Sequence, residues 1–441
     1  MNVRMLPLAA MLPASLSGLA QSPVDSTAAG RFSLHFQATY IVQWKPGFAA
    51  TYSGANSLMP EEETRTSVTS TIFVALRAWK GATFCFNPEM AGGSGLSGAL
   101  GIASSTNGET FRVGDPQPQF YNARLFLRQD IALSSTMEKV EEEANEPACL
   151  RPIERISITA GKICLADLFD LNRYSHDPRT QFLSWGLMSN GAWDYAANVR
   201  GYTPTIAIEL FKGKNEFRYA LALLPKEANG ATMQWDLALS RAHVFGYTRH
   251  FMFKRRPGAV RLLAFHNTAP MGNYLESLAN AGPGQVPSIV SDRKNGRTKY
   301  GFAFNMEQQL AKDIGMFLRA GWNDGNNETW AFTEIDHTLS GGISLAGRAW
   351  HRPSDNMGLA FVLSGLSVPH REYLKNGGEG FMLGDGNLNY GLEQVLEFDY
   401  SCQLKPGAIW FSGAYQFVMN PGYNTDRGPV SVFSLRLHLE I

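Results

Sequence analysis

The chain has 441 residues, with 39 Lys and Arg balanced by 39 Asp and Glu, so its formal net charge is zero. That balance removes the electrostatic case for nucleic acid or for an anionic lipid surface as partner. Charged residues are only 18% and aromatics 12%, with 43 glycines, a mixture that argues against an ordinary soluble domain and fits an antiparallel barrel with one wet face in two.

In chain order, residues 1–20 read as a secretory signal. Arg4 forms a short basic region and 5–12 an apolar core, and Gly18, Leu19 and Ala20 place small residues before a cleavage point at Gln21. The remainder, 21–441, carries no linker or charge block that would divide it and is expected to be one barrel domain. No run of 18 apolar residues follows position 20, which leaves a barrel as the only membrane-spanning option.

Beyond the leader, period-two alternation recurs. Along 121–130, Arg124, Arg128 and Asp130 share one parity while Leu125 and Leu127 take the other. In 155–159, Ile156 and Ile158 alternate with Arg155, Ser157 and Thr159. In 216–223, Phe217, Tyr219, Leu221 and Leu223 alternate with Glu216, Arg218, Ala220 and Ala222. Lys299, Asn305 and Glu307 oppose Tyr300, Phe302, Phe304 and Met306, and Glu397, Asp399, Ser401 and Gln403 oppose Leu396, Phe398, Tyr400, Cys402 and Leu404. The closing run sets Phe433, Leu435, Leu437, Leu439 and Ile441 against Ser434, Arg436, His438 and Glu440. Each such segment predicts a strand with one oily and one wet face. About 16 strands are expected, centred near 38, 75, 85, 126, 160, 207, 220, 247, 262, 303, 318, 342, 360, 397, 413 and 436. The wet faces predict Arg124, Arg128, Arg155, Glu209, Arg218, Glu397, Asp399, Arg436 and Glu440 on a lumen wall, in contact with water.

Connections alternate in length. Tight turns are expected at 80–81, 212–215, 254–258 and 405–407, and long links at 90–119, 166–202, 268–297 and 364–389. Short turns on one side and long loops on the other are the pattern of outer-membrane barrels. The stretch 134–154, with its acidic run Glu141, Glu142 and Glu143, breaks the rule and reads as a solvated periplasmic excursion.

Signals for chemistry are weak. Residues 93–98 match GxGxxG but no buried strand precedes them and no βαβ unit follows. GxxxxGK[ST], GxSxG and HExxH are absent, and Cys85, Cys149, Cys164 and Cys402 show no metal spacing. No cofactor, metal or catalytic residue is therefore expected. Cys85 and Cys402 read as packing residues, a Cys149–Cys164 bridge stays open, and His438 reads as a solvated lumen histidine. The dense segment is 165–202, where Asp, Asn and Arg interleave with Trp185, Trp193, Tyr174, Tyr195 and Tyr202. Aromatic faces cover the C–H side of a pyranose, and amides, carboxylates and guanidinium groups take its hydroxyls. A loop that packs its own aromatics as an extracellular lid accounts for this composition equally well.

Particular residues go further. The runs 167–182 (DLFDLNRYSHDPRTQF) and 190–195 (NGAWDY), with 107–114 (NGETFRVG), 420–424 (NPGYN) and the terminal strand, closely resemble the OprB-type carbohydrate-selective porins, over about residues 32–441. The resemblance implies an all-β, 16-stranded transmembrane barrel in the outer membrane of a Gram-negative bacterium, through which sugars such as glucose diffuse passively. It also implies an inward-folded constriction loop, carried as a group to Asp170, Asn172, Arg173, His176, Asp177, Arg179, Trp185, Trp193, Asp194 and Tyr195. Expected partners are mono- or oligosaccharides and outer-membrane lipid, with no nucleic acid. Monomer and homotrimer both stay open. A non-selective diffusion porin is the alternative, and a barrel lipid hydrolase would need a Ser/His pair that no motif marks. Strands of such barrels usually end in Phe or Trp, and here the last residue is Ile441; the intact alternation predicts that folding survives, and the departure bears on assembly efficiency.

Overall fold

The computed structural model describes residues 30–110 and 116–441; the leader read over residues 1–20 lies outside them. The alternating segments become β1 (Phe32–Lys45), β2 (Glu63–Trp79), β3 (Ala82–Gly93), β4 (Gln119–Ala132), β5 (Met137–Val140), β6 (Cys149–Pro152), β7 (Arg155–Ile163), β8 (Thr203–Lys212) and β9 (Asn215–Ala222). They continue as β10 (Arg241–Phe253), β11 (Arg256–Ala269), β12 (Arg297–Ala311), β13 (Ile314–Asn323), β14 (His337–Ala346), β15 (Asn356–Gly365), β16 (Glu393–Lys405), β17 (Ile409–Met419) and β18 (Val430–Glu440). Short helices α1 (Trp185–Met188), α2 (Tyr274–Asn280) and α3 (Val368–Lys375) lie in long connections.

Sixteen of these strands close into one antiparallel barrel; β5 and β6 pair only with each other. Each of the 16 expected centres falls inside a barrel strand. The seam joins the first strand to the last, from Gln37 opposite Glu440 to Trp44 opposite Phe433. Closure leaves no unpaired edge. Pro88, which has no N–H to give, sits where the β3–β4 register shifts between Asn87 and Pro88, the kind of site that tolerates proline in a sheet.

Alternation decides which side of the hoop each residue meets. On β18, Val430, Val432, Ser434, Arg436 and His438 point inward and are buried, while Phe433, Leu435 and Leu437 are exposed on the outer surface. Outward apolar exposure continues around the wall through Ile72, Phe86, Ile206, Phe245, Phe302 and Leu359. So continuous an apolar belt is stable only against a non-aqueous phase. Trp79 and Phe253 mark its short-turn end, and Trp44 and Trp322 its long-loop end.

The tight turns lie at one end, at residues 80–81, 213–214, 254–255, 312–313 and 406–408. The 133–154 link corrects the reading of a purely solvated excursion. Its acidic run is exposed, but β5 and β6 fold it into a hairpin whose flanks dock against inward-facing barrel residues. Cys85, Cys149, Cys164 and Cys402 are all unpaired, so no Cys149–Cys164 bridge forms.

Gly81 closes the β2–β3 turn at φ +77, and a Cβ there would run into the Asp130 carbonyl. A left-handed conformation costs a non-glycine residue roughly 1–2 kcal/mol before any clash. Gly81→Val is expected to destabilise the folded barrel by at least about that amount, read as a lower urea midpoint for loss of the compact band on unheated gels.

Candidate functional site

Two long connections turn inward. Residues 94–110 follow β3 and residues 164–202 follow β7. Their backbones would carry orphaned N–H and C=O groups into the barrel, and inward-facing side chains of distant strands supply the partners. On β16, Glu393 accepts from the Ala103 and Ser104 amides at 2.9 and 2.8 Å, and Glu397 from the Leu183 and Ser184 amides at 2.6 and 3.0 Å. The Thr106 carbonyl accepts from Gln43 on β1 and Gln416 on β17, at 2.9 and 3.0 Å. Arg436 on β18 donates to the Pro178 and Gln181 carbonyls at 2.8 and 2.6 Å and pairs with Asp399 at 3.2 Å.

A second hub is Arg319 on β13, fully buried. It donates to the Leu187 and Ser175 carbonyls at 2.8 and 2.6 Å and pairs with Asp170 at 3.0 Å. Asp170 also receives the Asn190 amide at 2.8 Å and the Asn305 side chain. Arg179 is gripped by Glu89 and Glu109 at 2.9 and 2.8 Å, tying the two inward loops together. Arg179, Arg319 and Arg436 each keep a carboxylate partner, and the buried carboxyl groups of Glu393 and Glu397 are hydrogen-bonded by amides.

The expected constriction group therefore divides. Asp170, Asn172 and Arg179 are buried anchors. Trp193 has no exposed surface, Trp185 stacks on Phe332 at 5.5 Å between ring centroids, and Tyr195 packs on the same ring at 4.5 Å. The Asp194 carboxylate caps the Trp330, Ala331 and Phe332 amides at 2.9, 2.7 and 3.1 Å. The expectation that Trp185, Trp193, Asp194 and Tyr195 face a passing solute is corrected: they form an aromatic core that holds the 324–336 link against the inward loop. Arg173 is exposed, and His176 and Asp177 are partly so. Burial lowers the His176 pKa from the usual imidazole value and the charge of Arg319 adds to this, which keeps the ring neutral at pH 7. Its Nδ1 has no partner among the described residues.

The wall residues all face inward, but water contact is corrected for most. Glu397, Asp399 and Arg436 are at most 2% exposed because the loops cover them. Arg155 lies under the β5–β6 hairpin and over Phe211, Glu209 is covered by Arg218, and Arg124 by its bidentate pairing with Asp167 at 2.7 Å. Arg128 and Glu440 keep partial exposure. His438, expected to be solvated, is 1% exposed and bonds Thr39 and Glu440, each at 2.8 Å.

Opposite the filled half, the loop stretch 168–171 leaves a gap against β9–β12, edged by Arg218, Thr248, Arg261 and Asn305. Along this wall acids and bases pair between neighbouring strands, and one acid also reaches a loop amide. Arg261 meets Glu307 at 3.1 Å, and Glu307 also takes the Arg173 amide at 2.8 Å. Arg218 bridges Glu209 and Glu216 at 2.8 and 2.7 Å. Arg261 and Arg319 were not singled out from the sequence, although the same alternation that faces Glu307 inward places them. Such a surface offers many hydrogen-bond donors and acceptors with little net charge.

The model for the family described as "Carbohydrate-selective porin, OprB family" matches residues 73–440. Among solved structures, Pseudomonas putida OprB is similar at TM-score 0.69 and 12% identity, over 93% of this chain and 94% of that one. The outer membrane channel DcaP of Acinetobacter baumannii is similar at TM-score 0.52 and 9% identity, over 93% and 97%. At these identities the likeness shows the fold. No curated protein matches the sequence. A closed 16-stranded wall, an apolar outer belt, a polar interior narrowed by inward loops and the family match converge: the chain belongs to the OprB family of carbohydrate-selective porins of the Gram-negative outer membrane.

Proposed function

We propose that sugars cross this barrel by passive diffusion past a slot between the 167–177 stretch and the β9–β12 wall. Arg173, His176 and Asp177 form its loop side, and Arg218, Arg261 and Glu307 its wall side. The observation that carries the reading is charge compensation at short range along the wall, above all the Arg261–Glu307 pair, whose carboxylate also takes the Arg173 backbone amide. A transverse field without net charge offers a polyol several hydrogen bonds at once, and gives an ion of either sign no uniform attraction. Asp170, Asn172 and Arg179 position the loop and do not touch the solute. The outward apolar belt supports contact with lipid around the wall. The chemistry required is recognition alone, which fits a channel and not an enzyme.

Liposome swelling with purified protein tests the preference. Glucose is expected to enter several-fold faster than an amino acid of similar size, and equal rates would favour the non-selective reading. Arg261→Ala combined with Glu307→Ala should abolish that preference while the protein remains a compact band on unheated gels. A preference unchanged in the double variant would remove these residues from the slot.

Trp193 separates packing from recognition. Trp193→Ala is expected to cost about 3–5 kcal/mol of stability, as for large-to-small changes in a core, measured by denaturant unfolding. Loss of selectivity at full stability would restore it as a solute contact. Glu397→Ala removes the acceptor of two loop amides, and each buried donor left unsatisfied costs roughly 1–3 kcal/mol. The loop should loosen, and single-channel conductance should rise and fluctuate more than in the unmodified protein.

A further inference from the structure

We infer that the β5–β6 hairpin is a displaceable strap over the periplasmic mouth, a second filter in series with the loop slot. The hairpin leaves the rim after β4 and returns at β7, strands that are neighbours in the wall. A tight turn would join them, as at the other short-turn connections. Instead, the 133–154 link reaches along the hoop. Glu142 pairs with His35 at 2.7 Å, and Asn145 accepts from Gln37 at 3.3 Å, both on β1. The Ala148 carbonyl accepts from Arg77 on β2. Glu146 pairs with Arg128 on β4 at 2.6 Å, and Glu138 with Arg155 on β7 at 3.0 Å. All of these wall partners face inward. Since β2, β3 and β4 stand between β1 and β7, the hairpin is a chord across that arc of the mouth.

What holds it is mostly charge. Its outward apolar residues Met137 and Leu150 are 48% and 63% exposed, and on the inner side only Pro147 is buried, with Val140 and Cys149 half-buried, so apolar anchoring is confined to a small patch. The carboxylate side chains of Glu138 and Glu142 are 40% and 58% exposed, and that of Glu146, held by both arms of Arg128, is 26% exposed. Ion pairs this wet are weak and screened by salt, and an isolated two-stranded hairpin has marginal stability of its own. The root is firmer than the tip: Arg155 also donates to the Pro152 carbonyl at 2.9 Å and lies 3.7 Å over the Phe211 ring. A fixed root, a tip held by polar contacts and a position across the exit make a flap. A monosaccharide leaving the slot can pass beside it, whereas a longer saccharide must lift it. The inference rests on this mouth being the exit for solutes.

Two proteins test it, each reconstituted at full length. In the first, Glu138→Gln, Glu142→Gln and Glu146→Gln together loosen the strap. In the second, with the four native cysteines replaced by Ser, Gln37→Cys and Asn145→Cys are joined by a short thiol-reactive, reducible cross-linker. Swelling is measured with glucose, alanine and a trisaccharide. The triple variant should admit the trisaccharide several-fold faster at an unchanged glucose-to-alanine ratio. The cross-linked protein should admit it several-fold more slowly until reduced. Trisaccharide rates unchanged in both proteins overturn the strap, whatever the ratio does. A lost glucose-to-alanine ratio with both strap effects intact counts against the slot and leaves the strap standing.

Discussion

Buried carboxylates facing loop amides are what the rest of this molecule depends on. A barrel this wide would enclose open water if its interior were left alone. Folding two long connections into it narrows the passage, but every backbone group they bring must find a partner away from bulk solvent. Glu393, Glu397 and Asp194 meet that demand with two or three amides each, and Arg319 and Arg436 do the same for carbonyls. A charged acceptor makes shorter and stronger bonds than a neutral one, so few anchors hold long loops. The cost is that these ions cannot also line the passage. The interior is accordingly divided into a packed half beneath β16, β17, β18 and β1, and a more open half beside β9–β12.

That division gives the channel its chemical character. The half beside β9–β12 keeps arginine and glutamate in mutual contact, as in Arg218 with Glu209 and Glu216. Paired this way they present hydrogen-bonding groups without the long-range attraction of a single-sign wall. A neutral, hydroxyl-rich solute is the species such a surface serves best. Hydrophobic recognition is less prominent than the aromatic richness of the chain suggests, because much of that richness is spent inside the loops or on the outer belt.

The wall was legible because alternation is a local property. A strand with one oily face must turn it outward once the sheet closes, so the parities of Arg124, Arg218, Glu397 and Arg436 placed them inside with no knowledge of their neighbours. The inward loops were legible only as composition. Trp185 and Trp193 carry the side chains that a sugar site would use, yet whether an indole meets solute or Phe332 depends on the link 324–336, which arrives from far along the chain. Exposure had the same weakness: parity faces Asp399 and His438 inward but cannot say what else occupies the interior. The hairpin in 134–154 was hidden because strands this short and an acidic run look like solvated chain until His35, Arg128 and Arg155 are seen beneath it.

The order of these contacts along the chain has its own consequence. The inward loops belong to the first half of the polypeptide, while Glu393, Glu397, Gln416 and Arg436 arrive on the final three strands. Until those strands are in place, the plug has only the anchors on β1, β3, β12 and β13 to rest on. Completion of the narrowing is thus tied to closure of the seam, and a cylinder stalled before its last three strands would be unsealed and would hold its plug by only part of its contacts.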